Sequence, residues 1–311
     1  MRAFAVALGV VVAACGRWGF DQVPQTDANA DAADASTDGM ETIGPCVARW
    51  LGGQVTVTAR ILPNVNSSGR DVEPFIASDN TTLYFASGRN DDANDDIFRA
   101  TTTAELADVT LVPDLSSLDP DGAITLSADG LVATESTDRP GLGLPGRNLW
   151  EATRSTTSEP FSGFTGAPFV NVNTTATEYE HWTSRDRLRL YVSANDGGVQ
   201  HITLSSRTTT TEPFSAPVAV PELDSLQTEC CMSLSADERV IVFASTRDGG
   251  IRLYYATRTS MAGGFSTPLP VPMANPPTSG FDLHTSLSAD ACTLYFSSTR
   301  TGNFDLWIGE F

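Results

Sequence analysis

Leu287-Ser288-Ala289-Asp290-Ala291-Cys292-Thr293-Leu294-Tyr295-Phe296-Ser297-Ser298-Thr299-Arg300 is the stretch that decides the fold. A Ser-x-Asp phrase leads into a short apolar strand, which ends in small polar residues and an arginine. Ser and Asp side chains hydrogen-bond the backbone just beyond themselves, so the phrase reads as a turn. Related phrases stand at Ser78-Asp79-Asn80, Ser127-Ala128-Asp129-Gly130, Ser184-Arg185-Asp186-Arg187 and Ser235-Ala236-Asp237-Glu238, and successive aspartates lie 50, 57, 51 and 53 residues apart. A period of that length marks a repeat architecture.

The flanks repeat as well. Apolar strands follow the aspartates at 83–87, 132–136, 190–193, 241–245 and 294–298, and after a second turn rich in Asn, Asp and Gly come strands at 96–100, 148–152, 200–204, 252–256 and 305–309. Short β-branched and aromatic runs between such turns are hairpins, and no helical period persists for more than a few residues. A further strand precedes each phrase at 55–62, 109–112, 167–170, 216–220 and 267–271. Prolines in it remove ladder donors and place it at an edge. Each unit is thus a four-stranded antiparallel meander, the description of a propeller blade. The predicted fold class is all-β: a single β-propeller of five four-stranded blades, at about 54–103, 104–155, 156–207, 208–259 and 260–311. The region opens on an outer-type strand and ends on a third-type strand, so the N-terminal strand is expected to complete the last blade and close the ring.

Asp71-Val72-Glu73-Pro74-Phe75-Ile76-Ala77-Ser78-Asp79 and Leu287-Ser288-Ala289-Asp290, each followed by an apolar strand and then Arg89 or Arg300, resemble the WD40-like (PD40) repeats of TolB-type propellers. The resemblance spans about 54–311 and implies a propeller that serves mainly as an interaction scaffold. Six blades are usual in that family, so five is a departure. Alanine replaces the motif's proline in three turns, and the third repeat has lost most of the turn signature. Fold does not carry function.

Ahead of the repeats, Arg2 precedes an apolar run from Ala3 to Ala14, which is too short to span a bilayer and reads as a signal sequence. Val12-Ala13-Ala14-Cys15 resembles the bacterial lipobox, which implies removal of residues 1–14 and lipidation of Cys15; Gly16 after the cysteine implies sorting to the outer membrane. Residues 15–45, with six acids and one base, read as a disordered acidic tether to the propeller at 46–311. The net charge is −19, and all 19 basic residues are arginine. Nucleic-acid binding and lysine chemistry are therefore disfavoured, and contact with a membrane falls to the lipid.

Four further cysteines, Cys46, Cys230, Cys231 and Cys292, allow three complete pairings. Cys46–Cys292 is favoured because it would lock the seam of the ring; Cys230 and Cys231 are left as a vicinal bridge, metal ligands or thiols.

The candidate site is carboxylate-rich. Eight residues before each turn aspartate stand Asp71, Asp121, Glu178, Glu229 and Asp282, an acidic ring at one end of the inner strands. Ten residues after it stand Arg89, Arg139, Arg247 and Arg300, placed for cross-strand ion pairs. In the third repeat Asp196 takes the arginine's place, so Glu178, Glu180, His181 and Asp196 form a candidate cation site whose oxygens suit Ca²⁺; a solvated acidic loop is the plainer alternative. No other cofactor is expected. His181, His201 and His284 have no nucleophile at motif spacing, and no catalytic residue is identified. The Ser-x-Asp phrases lack the aromatic that follows in sialidase Asp-boxes. The expected function is an envelope lipoprotein whose non-catalytic propeller holds an envelope protein or a peptidoglycan-associated partner. The alternative is a saccharide-binding or hydrolytic propeller that uses central carboxylates.

Overall fold

A computed structural model describes residues 43–91, 94–101, 106, 108–196, 198–273, 275–277 and 279–311. The signal sequence, Cys15 and nearly all of the acidic tether lie outside the described residues.

Helix α1 (Pro45–Leu51) comes first, with proline in its first turn, where the missing N–H costs nothing. The sequence contained no expectation of this helix. It is held from outside: Trp50 is buried against Tyr255 and Phe311, its Nε1 donates to Ala291 O at 3.0 Å, and Cys46 is disulfide-bonded to Cys292. Strand β1 (Thr58–Ile61) follows.

Blade 1 is β2 (Asp71–Ile76), β3 (Thr82–Ser87), β4 (Asp96–Thr101) and β5 (Thr110–Leu111). Blade 2 is β6 (Asp121–Leu126), β7 (Val132–Thr137), β8 (Asn148–Thr153) and β9 (Ser162–Thr165). Blade 3 is β10 (His181–Thr183), β11 (Arg189–Asp196), β12 (Val199–Ser206) and β13 (Val218–Ala219). Blade 4 is β14 (Glu229–Leu234), β15 (Val240–Ser245), β16 (Arg252–Thr257) and β17 (Leu269–Pro270). Blade 5 is β18 (Asp282–Leu287), β19 (Thr293–Ser298) and β20 (Asp305–Glu310), completed by β1 from the other end of the described chain. The register runs from Thr58 opposite Glu310 to Ile61 opposite Trp307. The protein is an all-β propeller of five four-stranded antiparallel blades, with the short edge strands outermost.

The turn phrase works by local hydrogen bonding. Ser127, Ser184, Ser235 and Ser288 donate to the aspartate two residues on at 2.5–2.6 Å, and each Oγ accepts the N–H that starts the next strand. The residue after the aspartate turns left-handed in every blade: Asn80, Gly130, Arg187, Glu238 and Ala291 have φ between 54° and 69°. Arg187 and Glu238 hold that conformation while paired to Glu151 at 2.9 Å and Arg189 at 2.7 Å.

The outer strand of blade 2 departs from the expectation. Residues 167–169 form a 3₁₀ turn, and 162–165 supply the edge strand instead. Pro168 favours the turn, which drives Phe169 into the core to stack on Phe214 with ring centroids 5.8 Å apart. In blade 3 the β11–β12 hairpin is extended to Asp196 opposite Val199. The same register in blade 1 has already left the strand at Arg89.

Candidate functional site

The ring acids begin the inner strands of blades 1, 2, 4 and 5, and each is bound several times over. Asp71 accepts from Ser67 N at 2.6 Å and Oγ at 2.9 Å, Ser87 Oγ at 2.6 Å and Arg89 Nη2 at 2.8 Å. Glu229 accepts from Ser225 Oγ at 2.5 Å, Ser245 Oγ at 2.9 Å and Arg247 Nη2 at 3.2 Å. Asp282 takes a bidentate fork from Arg300 at 2.6 and 3.0 Å. Asp121 is bound by Ser117 and Thr137, with Arg139 3.8 Å away, and burial raises its pKa despite those bonds. The arginines are clamped on their other face. Arg89 lies over Phe85 and Phe98, Arg247 over Phe243 and Tyr254, and Arg300 over Phe296 and Trp307, with guanidinium carbons 4.6–5.6 Å from the ring centroids. Carboxylates this fully satisfied brace the blades and offer little to a substrate.

Blade 2 breaks the aromatic half of this arrangement. Glu135 stands where blades 1, 4 and 5 have Phe85, Phe243 and Phe296, opposite Trp150 on β8. It is 1 % exposed, neither oxygen has a hydrogen-bond partner among the described residues, and burial pushes its carboxyl well above the usual range. Arg139 lies 3.8 Å from it and stacks instead on Phe164.

Blade 3 lacks the arginine. Glu178 is buried and accepts from Thr174 Oγ1 at 2.7 Å, but its Oε2 has no partner among the described residues, and desolvation raises its pKa. Its sequence neighbours disperse. His181 turns away to Thr134 O at 3.1 Å, with burial lowering its pKa to about 4, whereas Glu180 points to the propeller axis. Adjacent residues of an extended chain face opposite ways, which separates His181 from Glu180; Glu178 lies ahead of β10, where Thr174 holds it. Asp196 is placed by its backbone alone, at the end of β11.

What converges is a set the sequence reading did not assemble. Six residues before the turn aspartates stand Glu73, Ala123, Glu180, Cys231 and His284. In blades 1, 4 and 5 this position is a left-handed bulge residue, with φ of 54° at Glu73, 62° at Cys231 and 50° at His284. Non-glycine residues there are strained, and such strain collects at functional sites. The bulge directs these side chains toward the axis. Ligand atoms of Glu180, Cys231 and His284 all lie within 4.8 Å of one another, and His284 Nε2 is 3.4 Å from Glu180 Oε1. Cys231 Sγ also touches Cys230 Sγ at 2.6 Å. Glu73 accepts from Ala123 N at 2.6 Å and from Arg147 Nη1 at 3.4 Å. Gly122 makes room for this pair: a Cβ there would lie 2.3 Å from both Arg147 Nη1 and Glu73 Oε2.

Electrostatics separate the two axial glutamates. Burial disfavours charge on both. Arg147 nevertheless holds Glu73 below the ordinary carboxylate range, while burial and the neighbouring Glu73 push Glu180 well above it. Desolvation lowers His284 to about 4 and raises the Cys231 thiol. The cavity between these groups has about 20 Å³ open to the centre of a water molecule, room for a water or an ion and not for a sugar ring. Phe75 and Trp182 separate it from a second pocket at the turn end of the channel. A second cluster, His201, Asp224 and Glu229, shares an acid already engaged by Arg247.

No protein-family model matches the chain, and no curated protein matches it. Among solved structures, TolB from Acinetobacter baumannii is similar with a TM-score of 0.52 at 13% identity; the match covers 79% of this chain and 56% of that one, so the chain spans little more than half of that TolB. The catalytic domain of a Coprinopsis cinerea GH62 α-L-arabinofuranosidase gives a TM-score of 0.58 at 11% identity, over 82% of this chain and 96% of that one. A thermostable family-43 glycoside hydrolase gives 0.51 at 13% identity, over 79% and 90%. What is shared at these identities is the fold: a β-propeller similar to those of TolB and of these glycoside hydrolases.

Proposed function

We propose that this protein is a non-catalytic propeller of the bacterial envelope, tethered through lipid on Cys15, which holds a protein or peptidoglycan-associated partner on the end of the blades that carries the acidic ring. The observation that carries this reading is a set of exposed apolar side chains at that end. Leu118 is 98% exposed and Leu226 93% exposed, each three residues before a ring acid; Tyr179 and Phe281, also exposed, flank Glu178 and Asp282. Four blades thus present an apolar side chain beside a buried carboxyl group, the mixture of apolar anchor and polar surround that binding surfaces use.

The hydrolytic alternative is weakened by the same site. Its ring carboxylates are consumed by arginine and hydroxyl partners, and the axial pair lies in a cavity too small for a saccharide. The test is capture from detergent-solubilised envelopes with the full-length lipoprotein, compared with a Leu118→Asp/Leu226→Asp variant. One reproducible partner that the variant loses supports the proposal. Turnover of aryl arabinofuranosides or xylosides that Glu180→Gln abolishes would replace it with the enzymatic reading.

A further inference from the structure

We propose that Glu180, Cys231 and His284 form a transition-metal site on the propeller axis, with Zn²⁺ the ion that fits best. Three different blades supply one donor each, at one register of their inner strands, and their ligand atoms already lie within 4.8 Å of one another. Tetrahedral zinc with bonds of about 2.0–2.3 Å has ligand-to-ligand edges of roughly 3.3–3.8 Å. The His284 Nε2 to Glu180 Oε1 distance, 3.4 Å, is such an edge.

Donor chemistry selects the metal. A thiolate, an imidazole and one carboxylate suit zinc and its neighbours and serve poorly for Ca²⁺, which takes six to eight oxygens. The imidazole is already oriented: His284 Nδ1 meets Ser297 Oγ at 3.3 Å, which leaves Nε2 facing the other donors. Charge selects the same outcome. Glu73 is neutralised by Arg147, whereas Glu180 has no ion-pair partner among the described residues besides His284. A divalent ion bound by a carboxylate, a thiolate and a neutral imidazole leaves the buried axis uncharged, with the protons of the Cys231 thiol and the Glu180 carboxyl released to solvent. The left-handed backbone at Cys231 and His284 carries a local conformational cost, and it is what turns both side chains inward.

The experiment uses the full chain, purified anaerobically with Cys46–Cys292 intact, loaded with Zn²⁺ or Co²⁺ alone and then desalted. We expect one metal per chain by elemental analysis, a rise in melting temperature, and for cobalt a thiolate charge-transfer band. Cys231→Ser, His284→Gln and Glu180→Gln should each weaken binding tenfold or more, and Cys231→Ser should abolish the band. Ser297→Ala should weaken binding by about tenfold through the imidazole. Cys230→Ser, a neighbouring substitution of equal size, should keep both metal and band, and circular dichroism distinguishes loss of binding from loss of fold. Failure to retain metal, equal loss in Cys230→Ser and Cys231→Ser, a Cys230–Cys231 disulfide in the purified protein, or equal retention of Ca²⁺ would overturn the proposal.

Discussion

Replacing Glu135 with leucine should stabilise the propeller. Its carboxyl is 1 % exposed and accepts no hydrogen bond among the described residues, and its ion-pair partner, Arg139, is 3.8 Å away. Three other blades place phenylalanine at this register, in ring contact with the aromatic on the next strand. Exchanging a poorly compensated buried ion for a packed apolar side chain typically gains about 1–4 kcal/mol. Arg139 retains Asp121 and the ring of Phe164, so the exchange does not orphan it. We expect a gain near 2 kcal/mol at pH 7, measured by guanidinium unfolding under non-reducing conditions, and a smaller gain for Glu135→Gln, which removes the charge but keeps the polar atoms. The gain should also depend on pH. Because the folded pKa lies above the unfolded value of about 4.5, the native state holds the extra proton between the two. Glu135 therefore destabilises progressively as pH rises from about 4.5 through its folded pKa. The advantage of leucine should shrink as pH falls toward 4.5. A destabilised Glu135→Leu protein, or a gain independent of pH, would refute the reasoning.

Breaking Cys46–Cys292 by Cys46→Ser removes a crosslink across 246 residues and should cost about 4–5 kcal/mol, read as a lower unfolding midpoint together with a larger m-value from the less compact unfolded chain. Arg300→Met leaves Asp282 buried without its bidentate partner, and a loss of about 3–5 kcal/mol is expected by chemical denaturation. Gly122→Ala should separate Glu73 from Arg147 and lower the melting temperature, and the further change Glu73→Gln should cost less in that background than in the wild type.

Much of the fold is legible in the sequence because its decisive interactions are local. The Ser-x-Asp turns bond within five residues, so their chemistry is written where it acts. Closure by the N-terminal strand follows from strand order alone. Blade 2 misleads because Pro168 and Phe169 read equally as an edge strand or as a turn that buries an aromatic; only the stacking partner Phe214, from blade 3, decides between them. The axial cluster was harder. Its register is fixed, six residues before each turn aspartate, but its residues are Glu, Ala, Glu, Cys and His, so no repeated letter betrays it. The available signal was that chemically reactive types occupy four of five copies of one inner-strand position. Proximity in sequence groups Glu180 with Glu178 and His181, but alternation turns His181 away from Glu180, and Glu178 precedes the strand and is held by Thr174. The Glu73–Arg147 pair depends on the long β7–β8 connection of blade 2 and has no counterpart in the repeat.

Pairing of Thr58 with Glu310 across some 250 residues orders events during synthesis. A chain emerging N-terminus first presents β1 long before β20 exists, so the first strand made is among the last to find its place. Until then the nascent ring has two open edges, both competent to recruit a strand from another molecule. Contacts so distant in sequence slow closure. Loss of even the final six or seven residues would leave β1 and β19 without their common neighbour, so a short C-terminal truncation should be far more damaging than its length suggests.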